Sequence, residues 1–218
     1  MNIRAELAEF VGTFTLVFIG AGAQALAVAG TSSGGLVGVA LAHGLALMVI
    51  IYAWGAISGG HVNPAVTFGL AITGRFPWPR ALRYWIVQLL GAALAAFLLR
   101  ALIGTQGNIG MTLPAASVSI WQAIVIEAVL TFFLVTAVFG SAVAGRGGNA
   151  AAVAIGLVLA MDILMGGPLT GASMNPARSF GPALAMGNFT DLYVYFIGPL
   201  LGGGLAAIFY DRVFLRSV

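Results

Sequence analysis

Six stretches of this 218-residue chain are each long and apolar enough to cross a lipid bilayer as a helix. Spanning the hydrocarbon core takes about 20 mostly apolar residues. The hydrophobic pattern predicts spans at about 7–28, 36–57, 81–103, 119–141, 150–167 and 192–214. These spans leave no length for a separate soluble domain. We therefore predict an all-α membrane protein that forms a single domain over residues 1–218.

The charge content argues against most soluble functions. Only 7% of the residues are charged and 61% are hydrophobic, whereas soluble domains carry about 25% charged residues. All nine basic residues are arginines, and they are scattered, which argues against nucleic-acid binding. The sequence has no cysteine and shows no metal cluster, no nucleophile with a paired base and no phosphate loop. We predict neither an enzyme nor a protein with a metal or another cofactor.

The arginines also predict the orientation in the membrane. If the six spans alternate, one side holds Arg4, Arg75, Arg80, Arg83, Arg146, Arg212 and Arg216. The other side holds only Arg100 near a span end, while Arg178 lies within an apolar segment. The positive-inside rule then places both termini in the cytoplasm. We expect a multi-pass protein of the cell (inner) membrane.

Two further intervals, residues 58–74 and 170–186, are apolar but too short to cross the membrane. They resemble each other, and each contains an Asn-Pro-Ala box, formed by Asn63, Pro64 and Ala65 in the first and by Asn175, Pro176 and Ala177 in the second. Asn is a favoured helix N-cap and Pro suits the first helical position. Each interval is therefore predicted to hold a re-entrant half-helix that starts at its Asn.

The chain contains an inverted internal repeat. Upstream of the two boxes, the fragment around Glu9 matches the fragment around Glu127, so the halves lie at about 1–112 and 119–218. Each half has three spans, and the second must therefore insert upside down relative to the first. In such repeats, short interrupted segments at matching positions mark a solute path at the repeat interface. Both half-helix N-termini would meet near the midplane, where their partial positive charges disfavour cations and protons.

These boxes, together with the matched Glu-x-x-x-Thr-Phe fragments, give the chain a close resemblance to the aquaporins of the major intrinsic protein family. The resemblance covers essentially the whole sequence. It implies six transmembrane helices plus two half-helices, and a homotetramer in the bilayer with one pore per subunit. The implied activity is passive, bidirectional flow of water or small neutral solutes.

The resemblance also carries over a four-residue selectivity filter, which falls on His43, Ile163, Ala172 and Arg178. This combination is similar to that of the tonoplast intrinsic branch, which implies water together with ammonia, and urea or peroxide. Ser179 stands where the glycerol-conducting branch typically has Asp, so glycerol is the weaker candidate. We expect His43 and Arg178 to supply hydrogen-bond donors opposite an aliphatic wall.

Two filter residues also have simpler interpretations. Arg178 could extend its charge to the outer interface. His43 could be a buried helix histidine that bonds a carbonyl on a neighbouring helix. Functional roles are favoured for both, because ionisable residues inside membranes usually face cavities.

The intramembrane carboxyls Glu9 and Glu127 admit two interpretations. Each could hold loop backbone behind its own half-helix, which is the favoured interpretation. Each could instead couple solute movement to protons, which would make the protein a secondary transporter. His61 is either a gate at the cytoplasmic mouth or a side chain that bonds local backbone, and Asp162 is predicted to lie behind the pore wall. A third alternative is a structural membrane protein with a closed pore.

Overall fold

The computed structural model describes residues 3–215. Its α-helices are α1 (Ile3–Val28), α2 (Gly35–Ser58), α3 (Pro64–Ile72), α4 (Trp78–Ile103), α5 (Ile120–Ala137), α6 (Ala151–Thr170), α7 (Pro176–Met186) and α8 (Val194–Tyr210). π-Helical turns extend α5 over Val138–Val143 and α8 over Asp211–Leu215. Short 3-10 segments lie at Gln106–Gly110 and Gly148–Ala150. No strand occurs within residues 3–215.

Six of these helices are long and apolar enough to cross a membrane, which confirms the predicted all-α membrane fold. The two short helices, α3 and α7, begin at the prolines of the Asn-Pro-Ala boxes, as predicted. Some helix ends differ from the prediction. Helix α1 begins at Ile3 rather than at about residue 7, and its first turn holds Glu6, which accepts a 2.6 Å hydrogen bond from Arg83 Nε. Arg216, used in the orientation argument, lies outside the described residues.

Helix α6 is also longer than predicted. It continues through Pro168 and ends at Thr170, where Gly171 adopts a left-handed conformation with φ 82°. A proline inside a helix removes one backbone hydrogen bond. The helix nevertheless continues for two residues beyond Pro168, so the proline does not end it.

Each half-helix packs mainly against a long helix of the opposite half. Helix α3 of the first half contacts α8, and α7 of the second half contacts α4. The long helices pack chiefly within their own half: α1 packs against α2 and α4, and α5 packs against α8. The contact between α2 and α6 joins the two halves. The pore-forming segments are therefore shared between the halves, and neither half encloses its own.

Glycines allow the closest helix crossings, and these crossings repeat between the halves. A Cβ atom added at Gly91 would lie 2.3 Å from the carbonyl oxygen of Phe10, and one added at Gly202 would lie 1.9 Å from that of Ala128. Gly44 and Gly156 approach each other in the same way at the α2–α6 crossing. Small residues let membrane helices approach closely, which dispersion forces then stabilise.

We predict that Gly202→Ala destabilises the protein, because the added methyl group meets the backbone of α5. Forced overpacking costs about 1–3 kcal/mol. Gly38→Ala is the matched control, since Gly38 is also helical but a Cβ there meets no atom within 4 Å. The midpoint of thermal unfolding in mild detergent should fall for the first variant only. Equal midpoints would contradict the tight α5–α8 crossing.

Candidate pore and selectivity filter

The two box asparagines cap their half-helices and also join them. Asn63 Oδ1 accepts a 2.8 Å hydrogen bond from the backbone N–H of Ala65, and Asn175 Oδ1 accepts one of 3.0 Å from Ala177. Asn63 Nδ2 donates to the carbonyl oxygen of Met174 at 2.8 Å. The half-helix N-termini therefore meet face to face.

The reciprocal bond runs from Asn175 Nδ2 to the carbonyl oxygen of Val62 at 2.9 Å. In the structure, one hydrogen of each amide binds the opposite loop, and one is left for a molecule in the cavity that both side chains line.

Glu9 lies behind the first re-entrant loop and is fully buried. Its Oε1 accepts hydrogen bonds from Ser58 Oγ at 2.7 Å and from the backbone N–H of His61 at 2.8 Å. Its Oε2 accepts from the N–H of Val62 at 2.6 Å and from Gln88 Nε2 at 2.8 Å. The carboxyl group thus satisfies loop donors that would otherwise be unpaired at membrane depth.

Glu127 does the same for the second loop, and it is also fully buried. Its Oε1 accepts from Thr170 Oγ1 at 2.7 Å and from the N–H of Ser173 at 2.9 Å. Its Oε2 accepts from the N–H of Met174 at 2.7 Å. Within the described residues, the linings of the two cavities below include neither carboxyl.

The loop residues held by these carboxyls have strained backbones. Val62 and Met174 have φ values of 40° and 53°, and Ala172 has a φ of 45°. Non-glycine residues pay about 1–3 kcal/mol to adopt such sparsely populated conformations. The hydrogen bonds that Glu9 and Glu127 accept from the N–H groups of Val62 and Met174 offset this strain.

Two cavities lie along the interface of the halves. The larger, here called the inner cavity, has a volume of about 380 Å³, and its lining includes His43, Arg178, Asn63, Asn175, Arg75 and Phe76. The second, here called the outer cavity, has a volume of about 290 Å³, and its lining includes Gln24, Leu36, Val39, Ile163 and Gly167.

The boundary between the cavities lies at the level of the predicted filter. On α2, Val39 lines the outer cavity and His43, one turn later, lines the inner one. On α6, Ile163 lines the outer cavity and Leu159, one turn earlier, lines the inner one. Ala172 is buried in the loop between α6 and α7. Of the four predicted residues, His43 and Arg178 thus line the inner cavity, Ile163 lines the outer one, and Ala172 lies outside both linings.

Arg178 is buried beside this boundary rather than extended to the membrane surface. Its Nη1 donates to the carbonyl oxygen of Gly110 at 2.7 Å, and its Nη2 donates to Gln24 Oε1. Its Nε has no hydrogen-bond partner among the described residues. The guanidinium group therefore keeps one buried, unsatisfied donor beside the inner cavity, whose lining includes the Arg178 side chain.

His43 presents an acceptor rather than the expected donor. Its Nδ1 lies 2.9 Å from the carbonyl oxygen of Val39, one turn earlier on the same helix and not on a neighbouring one. A carbonyl only accepts, so Nδ1 carries the proton, and in the neutral ring Nε2 is an acceptor. That Nε2 is buried and has no partner among the described residues, and it packs against α1, where a Cβ atom added at Gly20 would lie 2.4 Å from it.

The remaining predicted residues lie on either side of the filter. His61 lines the inner cavity, its Nδ1 lies 3.1 Å from Thr67 Oγ1, and its ring packs 4.8 Å from that of Phe76. Both interpretations of His61, as a gate or as a local anchor, stay predictions. Asp162 is buried outside both cavity linings, and its Oδ2 has no partner among residues 3–215.

Sequence reasoning missed two features of the path. Arg75 lines the inner cavity and forms a 2.6 Å ion pair with Asp211 beyond α8. Gln24 contacts Arg178 from α1. The signal for Gln24 was present as an isolated amide side chain within the first apolar stretch, where an unpaired polar group is costly.

The comparisons with known proteins agree with this geometry. The family model described as "Major intrinsic protein" matches residues 1–210. The chain belongs to the major intrinsic protein family. As a member of this aquaporin family, it is an integral, multi-pass membrane channel for water and small solutes, and it is not an enzyme.

Several similar proteins are plant aquaporins of the TIP, or tonoplast intrinsic, branch, which confirms the predicted resemblance. The chain is 45% identical to aquaporin TIP2-1 of Arabidopsis thaliana, over 99% of this chain and 89% of that protein. It is 46% identical to the probable aquaporin TIP2-1 of Oryza sativa subsp. japonica, over 99% and 90%. These relatives do not support the predicted placement in the cell (inner) membrane.

A solved structure shows the same fold. The X-ray structure of the aquaglyceroporin from Plasmodium falciparum superposes with a TM-score of 0.85. The sequence identity is 26%, and the match covers 99% of this chain and 98% of that one.

We predict that Glu127→Gln destabilises this channel and lowers its water permeability. Glu127 accepts hydrogen bonds from three donors, and a glutamine offers these donors a single oxygen. At least one buried donor therefore loses its partner, which lowers the free energy of unfolding by about 1–3 kcal/mol. The matched control is Glu6→Gln, because Glu6 forms a partly exposed ion pair with Arg83, and such pairs are worth about 0–1 kcal/mol.

Thermal unfolding in detergent and stopped-flow light scattering on proteoliposomes measure the two effects. A Glu127→Gln variant with normal stability but a lost response to a proton gradient would instead indicate a transporter.

Proposed function

We propose that this channel passes water and ammonia in either direction along their gradients. The proposal extends to urea and other small neutral solutes, and it excludes protons and ions. The observation that carries the proposal is the pair of unpartnered nitrogens at the cavity boundary, His43 Nε2 and Arg178 Nε. Both atoms are buried, and both belong to side chains that line the inner cavity. A solute in that cavity would supply the partners that the described residues do not.

Ammonia fits this pair of groups. Its lone pair accepts from Arg178 Nε, and one of its N–H groups donates to His43 Nε2. Water makes the same two bonds, because it is both a donor and an acceptor. Ile163 offers only aliphatic surface, so a solute crosses without further polar contacts on that side. Ammonium lacks the lone pair and carries the charge that Arg178 repels.

Ion exclusion rests on the midplane as well as on the filter. The N-termini of α3 and α7 meet there, as the exchanged bonds of Asn63 and Asn175 indicate. Each N-terminus acts as about half a positive charge. A water oxygen that accepts from the free amide hydrogens turns its own hydrogens away, which interrupts a chain of proton transfer.

Glycerol is a weaker substrate in this proposal. Ser179 follows the filter arginine, and its Oγ lies 2.6 Å from Ser173 Oγ and 2.6 Å from Thr112 Oγ1. Both contacts hold the loop, so this side chain is not available to a polyol. The alternative, a proton-coupled secondary transporter, needs a titrating carboxyl in the path. Glu9 and Glu127 bind loop backbone instead.

Assembly and orientation complete the proposal. The family resemblance supports a homotetramer with one pore per subunit. The described arginines Arg4, Arg75, Arg80, Arg83, Arg146 and Arg212 support cytoplasmic termini through the positive-inside rule. The inner cavity, which ends at Arg75 and Phe76, then opens to the cytoplasm.

We predict that the double variant His43→Phe and Ile163→His loses ammonia flux more than water flux. The phenyl ring removes the acceptor, and the imidazole narrows the aliphatic wall. Ammonia flux should fall about tenfold, equivalent to about 1.4 kcal/mol in the barrier, while water flux changes little. Ammonia entry is followed by internal pH in proteoliposomes of matched protein density.

Leu45→Phe is the control on α2, because Leu45 is 54% exposed on the outside of the helix bundle. Equal losses of both fluxes in the double variant, or no ammonia flux in the unmodified protein, would refute the proposed solute range.

We predict that voltage-clamped bilayers with the unmodified protein show no proton conductance above background. The Arg178→Val variant has valine at this position, as the other half has at Val66. We expect it to show a measurable proton leak without loss of water flux. Arg146→Ala is the control, since Arg146 is exposed and bonds Tyr210 Oη. A proton conductance comparable to water flux in the unmodified channel would overturn the proposal.

A further inference from the structure

The outer end of the filter contains an amide side chain whose contacts join three segments of the chain. Gln24 lies on α1, is partly buried and lines the outer cavity. Its Oε1 accepts a hydrogen bond from Arg178 Nη2, and its Nε2 donates to the carbonyl oxygen of Met111 at 3.2 Å. Because a carbonyl can only accept, this second bond fixes the orientation of the amide and turns Oε1 toward Arg178.

The same short segment also binds the other end of the guanidinium group. Arg178 Nη1 donates to the carbonyl oxygen of Gly110, the residue before Met111. Gln24, Arg178 and these two consecutive carbonyls therefore form a closed ring of hydrogen bonds. Both terminal nitrogens of the guanidinium group bind the wall, and Nε has no partner among the described residues.

The wall behind this ring has no room to move. A Cβ atom added at Gly110 would lie 2.2 Å from the carbonyl oxygen of Ala21, and one added at Gly107 would lie 2.1 Å from that of Ala25. The 3-10 segment Gln106–Gly110 is thus pressed directly against the backbone of α1. If Arg178 lost a wall contact, the only open volume beside it would be the cavity.

The internal repeat gives a second, independent observation. By the spacing that relates Glu9 to Glu127, Gln24 corresponds to Ala142, and by the spacing of the two boxes Arg178 corresponds to Val66. Both Ala142 and Val66 line the inner cavity. Ala142 and Val66 are apolar side chains at one end of the path. At the other end, the amide of Gln24 and the guanidinium group of Arg178 form a hydrogen bond. Gln24 and Arg178 therefore depart from the repeat together.

We propose that Gln24 is a positioning residue of the filter, which holds the Arg178 guanidinium group against the wall and so keeps the pore open. This inference rests on the proposed filter role of Arg178, but not on the proposed ammonia flux. A neutral amide suits the task because it binds the guanidinium group without cancelling its charge. A carboxylate would hold Arg178 equally well but would remove the barrier to cations.

The test compares two substitutions with opposite expected effects. Gln24→Met keeps an unbranched side chain of similar size but removes both hydrogen bonds, whereas Gln24→Glu keeps the acceptor and adds a charge. Loss of a hydrogen bond to a charged group should release Arg178 into the lumen, and the osmotic water permeability of the Met variant should fall about tenfold. Its activation energy should rise toward that of protein-free liposomes.

The Glu variant should keep the water permeability of the unmodified channel and acquire a proton leak. Thr15→Val is the control on α1, because Thr15 Oγ1 bonds only the carbonyl oxygen of Val11 in its own helix. This variant should match the unmodified channel in both measurements.

A double-mutant cycle separates positioning from a general role in folding. In an Arg178→Val background, Gln24→Met should cause no further change in water permeability, since the group that it positions is absent. An equal fall in both backgrounds, or unchanged water permeability of Gln24→Met alone, would overturn the proposal. If Arg178→Val does not fold, Gln24→Glu is compared directly with Gln24→Met. An equal loss of water permeability in these two variants would also overturn the proposal. All readouts use water and protons, so a failed ammonia measurement leaves this result interpretable.

Discussion

Backbone polar groups that enter a membrane outside a helix must find partners, because the bilayer offers none. Two buried carboxyls meet this requirement here. Glu9 and Glu127 each accept consecutive backbone N–H groups of one re-entrant loop, which includes residues in the left-handed conformation. The loops in turn direct carbonyls and half-helix N-termini toward the interface of the halves. The two re-entrant loops of the pore therefore depend on two carboxyl groups that lie outside both cavity linings.

The sequence predicted those parts that repeat or that follow from local rules. The six spans follow from length and hydropathy, and the half-helices follow from the capping preference of Asn and the helix-start preference of Pro. The matched positions of Glu9 and Glu127 indicated a common task. Each of these inferences needs only residues close together in the chain or the comparison of one half with the other.

Sequence reasoning could not predict contacts that depend on which side chains converge across helices. The Arg178–Gln24 bond joins residues 154 positions apart, and the Asn63–Met174 bond joins residues 111 apart. The acceptor role of His43 depends on the rotamer that brings Nδ1 to Val39. Helix ends were also inexact, because the chain continues through Pro168 where local preference favours a break.

The exchange of half-helices between the halves has a consequence for how the chain is made. Helix α3 packs on α8, which follows it by more than a hundred residues in the chain, and Asn63 donates to the carbonyl oxygen of Met174. During synthesis the first half-helix is therefore made before the segments of the second half that it finally contacts. Glu9 precedes that half-helix in the chain, so its carboxyl is present to hold the loop from the moment that the loop emerges. The first loop can thus satisfy its backbone donors within the early part of the chain, before its half-helix meets α8.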